Sequence, residues 1–299
     1  QVVLWVTVAA VFVNGLICYP LVFGRWGAPE MGVEGAAIAS LAVQVMTLVL
    51  LVAYAAWLPF ARRFHLFQRF WRPDWHAMGL VFRLGLPIGL TGLAEAGLFQ
   101  ATALMMGWIG TVELAAHGIA MQVTSIGFMV HMGLSNATTV RTGRFAGAED
   151  WGNLRRGGVV AITISAVVGV AQIAIYLIYA EPIVGLFIDR SSAEAPQILA
   201  FGSVLLAYAA AFQMMDAGQV LALGLLRGVQ DTRVPMWIAA VSYWLIGVPA
   251  GWWLAFRADW GGVGLWSGLV IGLFFAASAL MFRFWSRVPA AAPATAVPA

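Results

Sequence analysis

Two carboxylates stand apart in a chain that carries few charges. Glu95 lies in GLPIGLTGLAEAGLFQATALMMGWIG (85–110) and Asp216 in QMMDAGQVLALGLLRGVQDTRVP (213–235), both well inside apolar runs. The other eleven of the thirteen acidic residues fall in polar connections or near the ends of such runs. An ionised carboxylate in hydrocarbon is costly and is kept for a function or with a partner. A second carboxylate nearby adds repulsion, so each group is either neutral or compensated by a cation. Proton, Na+ and a cationic organic ligand then become alternative occupants of one site, which is the chemistry of an antiporter. The structural alternative is a buried acid hydrogen-bonded to a helix backbone or to a neighbouring polar side chain.

The surrounding residue types fit either reading. Gln100, Gln213 and Gln219 lie near the two acids in sequence, and Phe99, Phe212, Met214 and Met215 offer an adaptable apolar wall. Ordinary helix packing is the competing role for each of those four. His65, His76, His117 and His131 show no metal-ligand spacing and no HExxH occurs, so the expected metal chemistry is limited to Na+ at Glu95 and Asp216. GLSN (133–136) has the outline of an intramembrane serine protease site, with Ser135 as nucleophile and His117 or His131 as base. A three-residue pattern carries little weight among 33 glycines. No nucleotide loop with GK[ST] is present, and the single cysteine, Cys18, allows neither an internal disulfide nor a Cys-based metal site. No cofactor is expected.

The elements that must hold these groups are membrane helices. Hydrophobic residues make up 62% of the 299 and charged residues 10%, against about 25% charged in a soluble domain. The net charge of +3 is too small and too scattered for a nucleic-acid partner. With about 20 apolar residues per crossing, eight spans are expected, near 2–23, 33–57, 80–109, 114–140, 157–180, 196–225, 234–256 and 262–285. Alternating spans put thirteen of the sixteen arginines on one side and Arg25, Arg190 and Arg257 on the other. By the positive-inside rule the richer side, including the C-terminus, is cytoplasmic. Tryptophans at span ends, such as Trp57, Trp108 and Trp260, read as an interfacial belt.

The longest connection, 58–79, interleaves arginines with Phe64, Phe67, Phe70 and Trp71, as expected of a helix lying in the headgroup region. The tail 286–299 is Pro- and Ala-rich and is expected to be disordered. Residues 2–23 echo 234–255 at constant offset, pairing Trp5 with Trp237 and Gly15 with Gly247, and MGVEGAAIAS (31–40) echoes WGGVGLWSGL (260–269). The echoed helices run in the same direction, a pattern of transporters built from two parallel bundles. If spans 1–2 repeat spans 7–8, the unit is six helices. The chain then holds the last two of one bundle (1–57), a linker (58–79) and all six of a second (80–285), with the natural N-terminus upstream.

RLGLP (83–87), ELAAHGIAMQVTSIGF (113–128), GLSNATTVRTGRFAGA (133–148) and MMDAGQVLALGLLRGVQDTRVP (214–235) together resemble the multidrug and toxic compound extrusion transporters, nearest to the NorM-type branch. FGRWGAPEMGVEGAAIAS (23–40) resembles a recurrent inter-helix pattern of the same family. The resemblance runs from near residue 1 to near residue 285. It implies an all-α polytopic membrane protein with twelve helices in two six-helix lobes around a cleft. It also implies export of small cationic, often aromatic, compounds from the bacterial inner membrane against H+ or Na+, by a monomer. The family's acidic pair on the first and fourth helices of the second lobe corresponds to Glu95 and Asp216. Its first-lobe acid falls on a helix outside this sequence. Four residues before the aspartate, Na+-coupled relatives often carry tyrosine; Phe212 stands here and offers no oxygen. Lipid-linked oligosaccharide flippases share the two-lobe architecture, but they would call for deep arginine or lysine, which the spans lack.

Overall fold

The structure, a computed structural model, describes residues 2–58 and 73–289. Helix is the only regular structure among them, as lipid requires: apolar surroundings offer no water to unpaired N–H and C=O groups, and a helix satisfies its own. The helices are α1 (Val2–Phe23), α2 (Gly32–Trp57), α3 (Trp75–Ile109), α4 (Thr111–Gly147), α5 (Trp151–Ile178), the short α6 (Ala180–Gly185) and α7 (Ala195–Gly228). Then come α8 (Arg233–Ala240), a π-helical segment (Val241–Gly247), α9 (Val248–Phe256) and α10 (Gly261–Arg287). Counting α8 through α9 as one rod and setting the six-residue α6 aside gives eight among the described residues, one for each expected span.

Seven of these rods are long and apolar enough to cross a membrane. The exception is α4, which spends much of its length on His117, Gln122, His131, Asn136 and several threonines. It is nonetheless 37 residues long, roughly 55 Å. The expected edges shift in three places. α3 begins at Trp75 rather than 80, and α4 runs on through Arg141 and Arg144 to Gly147. α5 begins at Trp151 rather than 157, because Asp150 caps it there: Asn153 N donates to Asp150 Oδ1 at 3.0 Å. Most of the linker expected over 58–79, and most of the tail expected over 286–299, lie outside the described residues, although α10 is helical through Arg287.

The chain divides into two compact units, 1–75 and 76–299. In the first, α1 and α2 form a hairpin. A Cβ on Gly35 would lie 2.6 Å from the Leu21 carbonyl oxygen, so glycine is needed for the approach. In the second unit, a Cβ on Gly264 would lie the same 2.6 Å from the backbone of Leu254 and Ala255. The turns match as well: Met31 N bonds Leu21 O at 2.9 Å, and Trp260 N bonds Leu254 O at 3.1 Å. The echo between 31–40 and 260–269 is therefore a repeated helix–turn–helix geometry.

The second unit is built around α7, which is buried along most of its length from Leu205 to Gly228 and packs against α4, α5, α6 and α10. Membrane helices associate through close backbone approach rather than through apolar burial. Two small-residue seams achieve this. Gly224 and Gly228 of α7 face Ser135, Thr139 and Thr142 of α4, and Gly264, Gly268 and Gly272 of α10 face Gly247, Gly251 and Ala255. Left-handed residues Glu149, Gln230 and Asp259 close the ends of α4, α7 and α9. The π segment runs into Pro249, which has no N–H to continue an α-helical ladder.

Candidate functional site

α7 presents Gln213, Asp216 and Gln219 at three-residue spacing, on one helical stripe. Asp216 is 1% exposed, and both glutamines are completely buried. α3 brings Glu95, half-buried, to the same place: Gln219 Nε2 donates to Glu95 Oε1 at 3.2 Å. Glu95 also lies within electrostatic reach of Asp216. The two acids that stand apart in the sequence are thus neighbours in space.

What holds α3 here is a set of side-chain contacts. The indole of Trp244, from the π segment, donates Nε1 to Ala94 O at 3.2 Å. The same ring lies against Gly97, where a Cβ would come within 2.8 Å of it. One residue away, Tyr243 turns inward. It is fully buried and sits within electrostatic reach of both Glu95 and Asp216. Its hydroxyl approaches Gln219 without hydrogen-bond geometry.

Buried polar atoms are nearly always paired, so unpaired ones mark a site. Among the described residues, Asp216 Oδ1, Gln219 Oε1 and Tyr243 Oη have no hydrogen-bond partner, and neither do the Gln213 amide atoms. Carboxylate, amide-carbonyl and hydroxyl oxygens from α3, α7 and the π segment form a donor set suited to a proton or to a hard monovalent cation. A transition-metal site is a different matter: no cluster of three His, Cys, Asp or Glu side chains occurs among the described residues.

The other expected lining residues divide. Phe212 is buried in a ladder of edge-on rings, 5.9 Å from Phe99 and 5.6 Å from Trp266, and His117 lies 5.8 Å from the other side of Trp266. Phe99 is half-buried. Met215 packs on the core, Met214 lies against Gly169 of α5, and Gln100 is exposed on α3. Tyr243 and Arg227 were missed. Tyr243 had a signal, a hydroxyl deep in the apolar run AAVSYWLIGVP. Arg227 was placed in a loop over 226–233; instead it forms the last turn of α7, half-buried and within electrostatic reach of Glu95.

The protease constellation is not assembled. The Ser135 hydroxyl donates to Val220 O at 2.7 Å, closing the α4–α7 seam. His131 is bound elsewhere, with Nδ1 3.0 Å from Ser165 Oγ and Nε2 2.9 Å from Gln172 Oε1. Gln172 Nε2 donates to Gly127 O at 3.3 Å, which leaves its Oε1 as the acceptor for the histidine. This network ties α4 to α5.

Comparison with known proteins agrees with the geometry. Residues 87–253 match the MatE family. Over 295 residues the chain is 43% identical to the probable multidrug resistance protein NorM of Rhizobium meliloti (strain 1021), covering 98% of this chain and 63% of the relative. It is 44% identical over 283 residues to the protein of the same name from Agrobacterium fabrum, covering 95% and 61%. The chain thus spans about three-fifths of the length of the curated relatives it matches. These relatives are named as multidrug resistance proteins, not as enzymes. An outward-facing multidrug resistance MATE family transporter of the MOP superfamily superposes with a TM-score of 0.82 at 22% identity, over 95% of this chain and 61% of that one. At that identity the likeness speaks to the fold, an all-α polytopic membrane bundle. Match and fold together place this chain in the MatE family.

Proposed function

We propose that this chain is the coupling half of a secondary active multidrug exporter, with Glu95 and Asp216 as the groups that exchange cations. One observation carries the reading: a fully buried aspartate with an unpaired oxygen, Oδ1, lies beside a second acid and the unpaired Gln219 Oε1 and Tyr243 Oη. An inward-moving H+ or Na+ compensates one negative charge of the pair; its departure frees that carboxylate to meet a cationic organic compound. Phe212 contributes packing and no ligand, so the oxygen that tyrosine supplies one turn before the aspartate in Na+-coupled relatives comes here from Tyr243. α1 and α2 belong to a first lobe, and the six rods from α3 to α10 form the second. Alternating access between lobes carries small cationic, often aromatic, substrates outward across the bacterial inner membrane. The arginine-rich helix ends and the C-terminus face the cytoplasm, and the transporter works as a monomer. Two buried acids, with the nearby arginine, Arg227, confined to the last turn of α7, suit cationic cargo better than a phosphate-linked saccharide. The deciding experiment is cation-driven efflux of a cationic dye from proteoliposomes carrying Asp216→Asn. Efflux at least ten-fold slower is expected, and wild-type efflux would sink the assignment.

A further inference from the structure

A pocket of about 310 Å³ opens where α3 meets the α7–α8 turn, at the arginine-rich ends of the helices and away from the acidic pair. Its loop is tight: Gln230 is left-handed and Asp231 N bonds back to Leu226 O at 2.9 Å, so α8 starts at the pocket wall. The first N–H groups of α8, those of Arg233 and Val234, receive no side-chain cap. A helix start of this kind favours anions. Thr232, a residue 6% exposed, lines the pocket, and its hydroxyl has no hydrogen-bond partner among the described residues. A nine-tenths buried polar residue left without a side-chain partner on a pocket wall is an independent sign of a ligand.

Charge around the pocket is positive. Arg83 from α3 and Arg233 from α8 are exposed and form no ion pair among the described residues. The one lining acid, Asp231, is held by Arg283 at 2.8 Å, with Arg287 at 3.8 Å behind it. The remaining wall is apolar, Leu80 and Leu84, and the same two helices carry the exposed Val81, Phe82 and Trp237. A soluble anion has no use for an apolar wall, whereas a phospholipid does.

We infer that this pocket binds the phosphodiester headgroup of an anionic phospholipid. Arg83 and Arg233 neutralise the phosphate, Thr232 Oγ1 and the first N–H groups of α8 donate to it, and Leu80 and Leu84 meet the first acyl carbons. Basic pockets between membrane helices on the cytoplasmic side are suited to such headgroups. The site is independent of the cation-exchange reading, since it shares none of its residues.

The test is phospholipid retention. The protein is reconstituted in nanodiscs of mixed phosphatidylglycerol and phosphatidylcholine, extracted into detergent, and its bound lipids are counted by native mass spectrometry. Each interfacial arginine contributes roughly a factor of five toward anionic phosphate, so Arg83→Ala with Arg233→Ala should lower phosphatidylglycerol retention about 30-fold. The paired Arg→Lys variant should keep most of it, and Thr232→Val should lower it several-fold. Melting in lipid-free detergent shows that each variant is folded, and added phosphatidylglycerol should raise the melting temperature of the wild type but not of the double alanine variant. Equal retention by wild type and the double alanine variant overturns the proposal. Stabilisation by inorganic phosphate equal to that by phosphatidylglycerol overturns the lipid assignment.

Discussion

Gln219 of α7 donates its Nε2 to Glu95 Oε1 of α3 at 3.2 Å, and that amide then leaves its own Oε1 unpaired and buried. One side chain thus ties the two acid-bearing helices together and presents an oxygen beside them. Hydrogen bonds to charged groups are worth about 1.5–3 kcal/mol. Gln219→Ala should therefore change the apparent affinity for the coupling cation by about ten-fold or more. Transport measured across pH and Na+ concentration reads this directly. Gln100→Ala, at an exposed position on α3, should leave both dependences unchanged.

Tyr243→Phe separates function from stability. Its hydroxyl is buried without a partner, and removing an unsatisfied polar group is close to neutral or stabilising. The melting temperature should hold or rise slightly while cation-driven efflux falls several-fold. A loss of stability with transport intact would show that the hydroxyl serves packing alone.

Gly268→Ala tests the seam between α10 and α9. A new Cβ would overlap the Gly251 backbone and lie 2.8 Å from Gly247 O, with rigid backbone on both sides. Overpacking of this kind costs about 1–3 kcal/mol even among movable side chains, so a loss of at least that size is expected. Gly118→Ala in α4 meets nothing within 4 Å and should be neutral or stabilise by up to about 1 kcal/mol. Denaturation in detergent, monitored by circular dichroism, compares the two.

Asp150 should make the start of α5 acid-sensitive. The Asn153 backbone N–H, and then its side-chain amide at 2.7 Å from Oδ2, hold the Asp150 carboxyl below its ordinary value. A depressed carboxyl contributes stability that is complete above its unfolded value, about 3.9, and is lost as pH falls through the folded value. Protection against hydrogen exchange in the first turn of α5, taken relative to the intrinsic rate at each pH, should therefore fall below pH 4 in the wild type. In Asp150→Ala protection should already be low at pH 6 and change little on acidification.

Much of this protein is legible in one dimension. Apolar runs of about twenty residues can only be helices in lipid, so seven of the eight rods follow from composition and length, α4 being the more polar exception. The repeat was equally visible, since Gly35 and Gly264 are conspicuous in matching strings and each permits the same backbone approach. Glu95 and Asp216 were singled out because a carboxylate in hydrocarbon is conspicuous wherever it occurs.

Other features depended on which surfaces meet. Phe99 and Phe212 were candidates for a ligand wall, yet Phe212 is locked between Phe99 and Trp266, a contact made by residues more than fifty positions apart. His131 and Ser135 lie four residues apart, but their partners, Ser165 and Val220, come from different helices, and that dissolves the serine-site pattern. Tyr243 joins the acids only because the π segment before Pro249 sets its direction. The sequence by itself determined which groups are too costly to leave unpaired in a membrane. The tertiary structure decided which of them share a site, because pairing depends on helix rotation and crossing, set by the glycine seams of α7 and α10.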